Sequence, residues 1–252
     1  MANLLVTQKL VDTEKKCVFK FTNVSDGSAL ADLKMIDVST LNWAKHTLTL
    51  SGAEVEGFKI GEVISTAAAH SAVGDGSEFF IVTGFTTGAS TVEVVGWDYT
   101  NKKATAASTA YSNADKIVGS VTGLHTRTAA NSGALIELDY TVLVTKIQWV
   151  CSGLNVNIEW DGSSTETSIA FLGGNGIINM PGTEWPGITS DASGDTSGVL
   201  GDIQFTTVNE SAGDGYTIIM ECKKQAPGYD IPNYEANARL GHRVDYVLGN
   251  FT

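Results

Sequence analysis

Alternation of apolar and polar side chains is clearest between Gly201 and Lys224. Ile203 and Phe205 fall on one face, opposite Gln204 and Thr206. Farther on, Tyr216, Ile218, Met220 and Cys222 alternate with Thr217, Ile219, Glu221 and Lys223, and only Ile219 breaks the period of two that a half-buried strand requires. Between the two runs, Asn209-Glu-Ser-Ala-Gly-Asp-Gly215 has turn chemistry, with Asp214-Gly215 tolerating positive φ. The pattern predicts a hairpin with one apolar face. A hairpin does not stand alone in water, so the rest of the chain must supply a second layer.

The N-terminal stretch offers part of that layer. Leu4 to Asp12 reads as a strand, Thr13 to Lys16 as a polar turn, and Cys17, Phe19 and Phe21 alternate with Val18, Lys20 and Thr22 before the turn cluster Asn23 to Gly27. Leu33 to Ser39 reads as a third strand. From about Gly52 to Ala130 the runs shorten: Phe58 to Ile64, Glu78 to Thr83 and Thr91 to Trp97 are separated by glycine and serine turns. With His46 to Leu50 they predict a small barrel of four or five strands. Ala104 to Asp115 is low in complexity and reads as a linker or long loop. Strong alternation returns in Ile147, Trp149 and Cys151, then flips parity after Ser152-Gly153 to Leu154, Val156, Ile158 and Trp160. A flip at glycine marks a tight turn or bulge between two strands that share one core. Thr167 to Leu172 is the next strand and Gly173-Gly-Asn-Gly176 a break, followed by a glycine-rich loop from Pro181 to Gly198. After Pro227-Gly228, Asn233 can cap a helix over 234–248, although Gly241 weakens it by about 1 kcal/mol. Such a tail serves either to dock on a neighbour or to pack on its own chain.

Composition narrows the function classes. The formal charge is −12, from 16 Lys and Arg against 28 Asp and Glu, which argues against nucleic-acid binding because counterion release needs a basic face. Apolar runs stop far short of the roughly 20 residues that cross a bilayer. No basic residue precedes Leu4-Leu5-Val6, so the reading is a chain made and kept in a cytoplasm, without a secretory leader. Cys17, Cys151 and Cys222 lack any CxxC spacing and fall on apolar phases, as small buried hydrophobes do.

Three blocks in order carry a resemblance: VDT…VFKFTNVSDG…MIDVSTL over 11–41, VTKIQWVCSGLNVNIEWDG over 144–162 and GDIQFTT…AGDGYTIIMECKK over 201–224. Together they resemble a family of small β-rich virion proteins of tailed bacteriophages, frequent among marine and cyanobacterial phages. In shorter relatives the first block runs almost directly into the second. The resemblance implies an all-β chain: an antiparallel, jelly-roll-like β-sandwich made of 1–50 plus 132–224, a small β-barrel-like domain inserted at 51–131, and an assembly tail at 225–252. It implies a virion structural protein assembled in the host cytoplasm, foremost a capsid decoration or cement protein that binds the major capsid protein or other virion proteins as a homo-oligomer. A neck, collar or tail component is the alternative.

Chemistry is sparse by comparison. His46, His70, His125 and His242 have no metal-ligand spacing, no GxSxG elbow or phosphate-cradling loop occurs, and Gly173 to Asn179 half-matches a calcium-binding repeat with Ile178 where aspartate belongs. Asp191 to Asp195 could hold a hard cation, but a solvated Gly/Ser loop is the favoured reading. No cofactor and no enzymatic role is expected. Candidate contact residues are Leu4 and Leu5 at one end of the chain and Tyr234, Arg239, Leu240 and Arg243 at the other. Trp97 and Trp185, with Tyr111, read as aromatics in or beside loops that could stack on sugar in a carbohydrate-binding module for host attachment, although burial at an interface is preferred.

Overall fold

The computed structural model describes residues 3–49, 58–67, 78–85, 90–106, 116–120, 123–128, 136–137, 140–161, 166–179, 201–225 and 228–229. Strands dominate: β1 Leu4–Asp12, β2 Lys16–Asp26, β3 Leu33–Ile36, β4 Lys45–Thr49, β5 Val63–Ala67, β6 Glu78–Phe85, β7 Thr91–Asp98 and β8 Lys103–Ala104. They continue with β9 Lys116–Gly119, β10 Gly123–Thr128, β11 Ile136–Glu137, β12 Thr141–Ser152, β13 Asn155–Trp160, β14 Thr167–Leu172, β15 Asn175–Asn179, β16 Ile203–Val208 and β17 Ala212–Gln225. A 3-10 turn spans Val38–Thr40. The fold is all-β with antiparallel pairing throughout the described ladders.

Two compact units divide the chain, the first made of Met1–Val38 and Asp139–Pro227, the second of Ser39–Leu138 with Gly228–Thr252. The change of unit therefore falls earlier than residue 50 and later than residue 131, because β4 pairs with β7 and β11 pairs with β4. The expected tail also begins differently: Lys45 donates its backbone N–H to Gly228 O at 2.9 Å, Tyr229 bridges Ala44, and Tyr229 is fully buried within the second unit. The proposed helix at 234–248 lies outside the described residues.

In the first unit, a five-stranded sheet in the order β1-β2-β17-β12-β15 and a four-stranded sheet in the order β14-β13-β16-β3 form a sandwich. Phe21 from the larger sheet meets Phe205 from the smaller at 4.9 Å between ring centroids and 70°, and Phe205 meets Tyr216 at 6.1 Å and 64°. Edge-to-face packing of fully buried rings joins the layers; removing a side chain such as Phe205 from water contributes about 1.5–3 kcal/mol.

The expected 201–224 hairpin does not form. β16 pairs with β13 and β3, whereas β17 pairs with β12 and β2, so the connector at 209–211 passes from one sheet to the other. Asn209 turns the chain there with φ 62°. Alternation had identified the right inward residues, Phe205 and Tyr216 among them, but two strands facing each other across a core show the same period as two strands side by side. Gly153 makes a second crossing with φ +82°, and a Cβ there would collide with Asp214 Oδ1. The parity flip at that glycine is the chain changing sheets, with both arms in one core as expected. β2 to β3 and β14 to β15 cross in the same manner. These four crossings lie at one end of the sandwich, since Asn155 pairs with Val208, Val156 with Leu172, Ser152 with Gly215 and Val24 with Gly215.

In the second unit, the sheet runs β10-β9-β5-β6-β7-β4-β11, with β8 added on β7. Among the described residues no ladder closes this path into the barrel expected from the sequence. Leu48, Ile64, Phe80, Val82, Val92 and Val94 pack on one face; Ile81, Val95, Trp97 and Ala104 pack on the other.

Candidate assembly interface

Residues directly opposite one another in an antiparallel ladder share a face, so the register lists the outward surface of the five-stranded sheet row by row. Nearest the crossing end Asp26 aligns with Ala212; then Leu4, Val24, Gly215 and Ser152 align as the first row, and the next row is Val6, Thr22, Thr217, Val150 and Asn175. Gln8, Lys20, Ile219, Gln148 and Ile177 form the third row, and Val18, Glu221, Lys146 and Asn179 the fourth. Ionic side chains flank the Leu4 and Val6 rows, Asp26 on the crossing side and Lys20 on the other. Beyond it, Glu221 pairs with Lys16 at 3.5 Å and with Lys146 at 3.9 Å.

The first three rows carry apolar side chains in the phase that should be polar. Leu4 is 63% exposed, Val6 43%, Val24 44%, Val150 59% and Ile177 60%. At strand and residue spacings of about 4.8 and 3.4 Å, five strands by five residues span a footprint of roughly 400 Å², in which the aliphatic side chains lie among small and uncharged polar ones and Lys20.

β1 forms one border of this face. It is exposed along most of its length, and an irregularity between Lys9 and Val11 interrupts its pairing with β2. Lys9 is held by Asp12 at 2.7 Å, and Asp12 also holds Lys224, a fully buried lysine on β17 that donates to Thr13 O at 2.8 Å. Burial pushes Lys224 below the ordinary lysine range, with Asp12 opposing the shift. At its start, Asn3 ties β1 down by accepting from Asp26 N at 2.8 Å and donating to Ser28 O at 3.2 Å.

Leu4 thus lies on the outward face, whereas Leu5, opposite Asn23, is half-buried on the other side of β1. Tyr234, Arg239, Leu240, Arg243 and Trp185 lie outside the described residues, as do Tyr111, His70, His242 and 191–195. Trp97 is a correction: it sits in β7, 4% exposed, packed with Ile81, Val95 and Ala104, and a side chain buried in that way presents no ring to a sugar. His46 is fully buried, with Nδ1 3.2 Å from Ala44 O, and the three cysteines are buried thiols. Cys17 and Cys222 face each other across β2 and β17, and the hydrogen bond between them, with burial, raises Cys222 above the ordinary thiol range. Among the described residues, no group of three or more His, Cys, Asp or Glu is placed to hold a metal ion, and no helix is long and apolar enough to cross a membrane.

The sequence reading missed Val6, Val24, Val150 and Ile177. Their signal was visible as valine or isoleucine in the polar phase, but Val24 fell in a stretch taken for a turn and Ile177 next to a glycine break. Compared with known proteins, the chain matches no protein-family model and no curated sequence.

Proposed function

We propose that the chain is a structural subunit of a tailed-phage particle, acting by association rather than catalysis, and that the outward face of its five-stranded sheet is a contact surface. The observation that carries this reading is the set of exposed, uncharged aliphatics Leu4, Val6, Val24, Val150 and Ile177 on one sheet face of a chain whose net charge is −12. Water disfavours such a face left open, and a neighbouring protein removes it from water. The order β2-β17-β12-β15 over β3-β16-β13-β14, with its sheet-crossing connections, fits an eight-stranded jelly roll flanked by β1. That architecture occurs in viral capsid domains among others, and it supports the reading without carrying it. The patch covers about half of one partner's share of a standard interface, so strength would come from repetition over a shell, as in a decoration protein bound to the major capsid protein.

The test is cosedimentation of the full chain with particles assembled without it. Val150→Thr with Ile177→Thr keeps β-branched side chains while removing apolar groups. Stoichiometric, saturable binding that this variant weakens at least tenfold, with an unchanged melting temperature, is the expected result. Undiminished binding by the variant would remove the face from the reading; saturation at a few copies per particle would move the subunit to the neck or tail.

A further inference from the structure

Building on that assembly reading, we infer that β1 pairs antiparallel with β1 of a second copy of this chain, about a two-fold axis at Val6. β1 ends the five-stranded sheet, and among the described residues no strand pairs with its other side. The direction of its free backbone groups follows from the ladder. Lys224 donates its N–H to Lys15 O at 2.9 Å, which makes odd-numbered residues of β2 bond to β17 and even-numbered ones bond to β1. Leu4, Val6 and Gln8 therefore bond inward to β2, their register partners being Val24, Thr22 and Lys20. Leu5 and Thr7 turn their N–H and C=O groups to the open edge.

Natural edges are blunted by charge, proline or bulges. The far half of β1 follows that rule, with its irregularity between Lys9 and Val11 and the Lys9–Asp12 ion pair. The near half, Leu4 to Gln8, has no ionisable side chain. Two copies of a chain with net charge −12 repel each other over most approaches, and an isologous contact requires a segment complementary to itself. Centred on Val6, the pairing opposes Leu5 to Thr7 of the second copy and Leu4 to Gln8, with no charge against charge and four new backbone hydrogen bonds. Centring on Thr7 would oppose Lys9 to Leu5 and draw the irregular segment into the ladder. The blunted half therefore rules out registers displaced toward Lys9, and the two sheets become one continuous sheet.

So short a contact gives a dissociation constant on the order of micromolar. Analytical ultracentrifugation of the full chain from about 1 to 100 µM should show a monomer–dimer equilibrium. Thr7→Pro removes an outward N–H in each copy and leaves the β2 ladder intact, so dimerisation should weaken roughly thirty-fold at unchanged circular dichroism. Val6→Cys should crosslink two chains on mild oxidation, while Leu10→Cys should not. A chain monomeric at the highest concentration with no Val6→Cys crosslink, or a dimer indifferent to Thr7→Pro, overturns the inference. A monomer that still binds particles through Val150 and Ile177 would end self-pairing and leave the assembly reading standing; a dimer that ignores particles would do the reverse.

Discussion

Replacing Asp202 by asparagine should make the sandwich more stable, by an amount that grows with pH. Asp202 precedes β16 and is fully buried. Its Oδ1 accepts from Val38 N at 2.8 Å, and its Oδ2 lies 2.5 Å from Lys34 Nζ. Burial pushes the carboxyl up to about 6 from 3.8; the hydrogen bonds from Lys34 and Val38 pull it down, and Asp37 adds repulsion. Burial also works against the Lys34 ammonium, yet the hydrogen bond and charge of Asp202 hold it above the ordinary lysine range. The two partners point in opposite directions energetically. Asp202 governs, because the Lys34 side chain is 39% exposed and water screens its gain. A folded-state value above the unfolded one means that the native state holds the proton more tightly, so stability falls as pH rises through the window from 3.8 to about 6. Linkage gives a penalty of roughly 2 kcal/mol at pH 5 rising to roughly 3 kcal/mol at pH 8. Asparagine keeps the acceptor for Val38 N and never ionises. Urea unfolding of both proteins between those pH values, above the sequence pI of about 4.6, should show the stability difference widening by roughly 1 kcal/mol in favour of asparagine. A difference that stays flat, or that widens toward acid, would refute the assignment of a buried, penalised carboxylate.

Two further substitutions test the scaffold. Gly153→Ala forces a side chain into positive φ and against Asp214, and should cost about 2 kcal/mol or more in chemical denaturation, partly recovered by Asp214→Ala through removal of the clash. Lys224→Met leaves the buried Asp12 carboxylate with a weaker set of partners and should cost about 3–5 kcal/mol, whereas Lys224→Met with Asp12→Asn should recover much of that loss in the same assay.

Much of the first unit was legible because a sandwich strand declares its inward residues. Cys17, Phe19, Phe21, Ile147, Val156, Ile158, Ile203, Phe205, Ile218 and Met220 are all buried, as their phase required. Which strand lies beside which was not legible, since period two is the same for neighbours in a sheet and for strands facing across the core. The hairpin reading failed on that point alone. Trp97 misled because it ends the strand run from Thr91 and so reads as lying beside a loop, although the residue is buried on a strand of a sheet that is apolar on both faces. The edge at β1 was half legible: Leu4 stood out as apolar, but apart from Val24 its neighbours on the outward face come from strands more than a hundred residues away in sequence.

Strand propensity offers a plainer account of the outward valines and isoleucine, because β-branched residues favour a pleated surface whether or not anything covers it. The other sheet of the same unit answers that account. β13, β14, β16 and β3 meet the same backbone requirement, yet in the phase opposite their buried residues they carry Asn155, Asn157, Glu159, Ser168, Thr206 and Lys34. These side chains satisfy one another: Asn157 donates to Glu159 at 2.5 Å, Ser168 to Asn157 at 2.6 Å and Thr206 to Asp32 at 3.0 Å. Exposed Phe171 and Val208 stand singly among them, as scattered surface hydrophobes do. Propensity alone would have treated both sheets alike. The larger sheet instead gathers its aliphatics into adjoining rows, keeps charge out of the two rows between Asp26 and Lys20, and leaves the near half of its edge strand unguarded. Those three departures coincide on one surface, which is what an association face requires and what a solvated sheet does not.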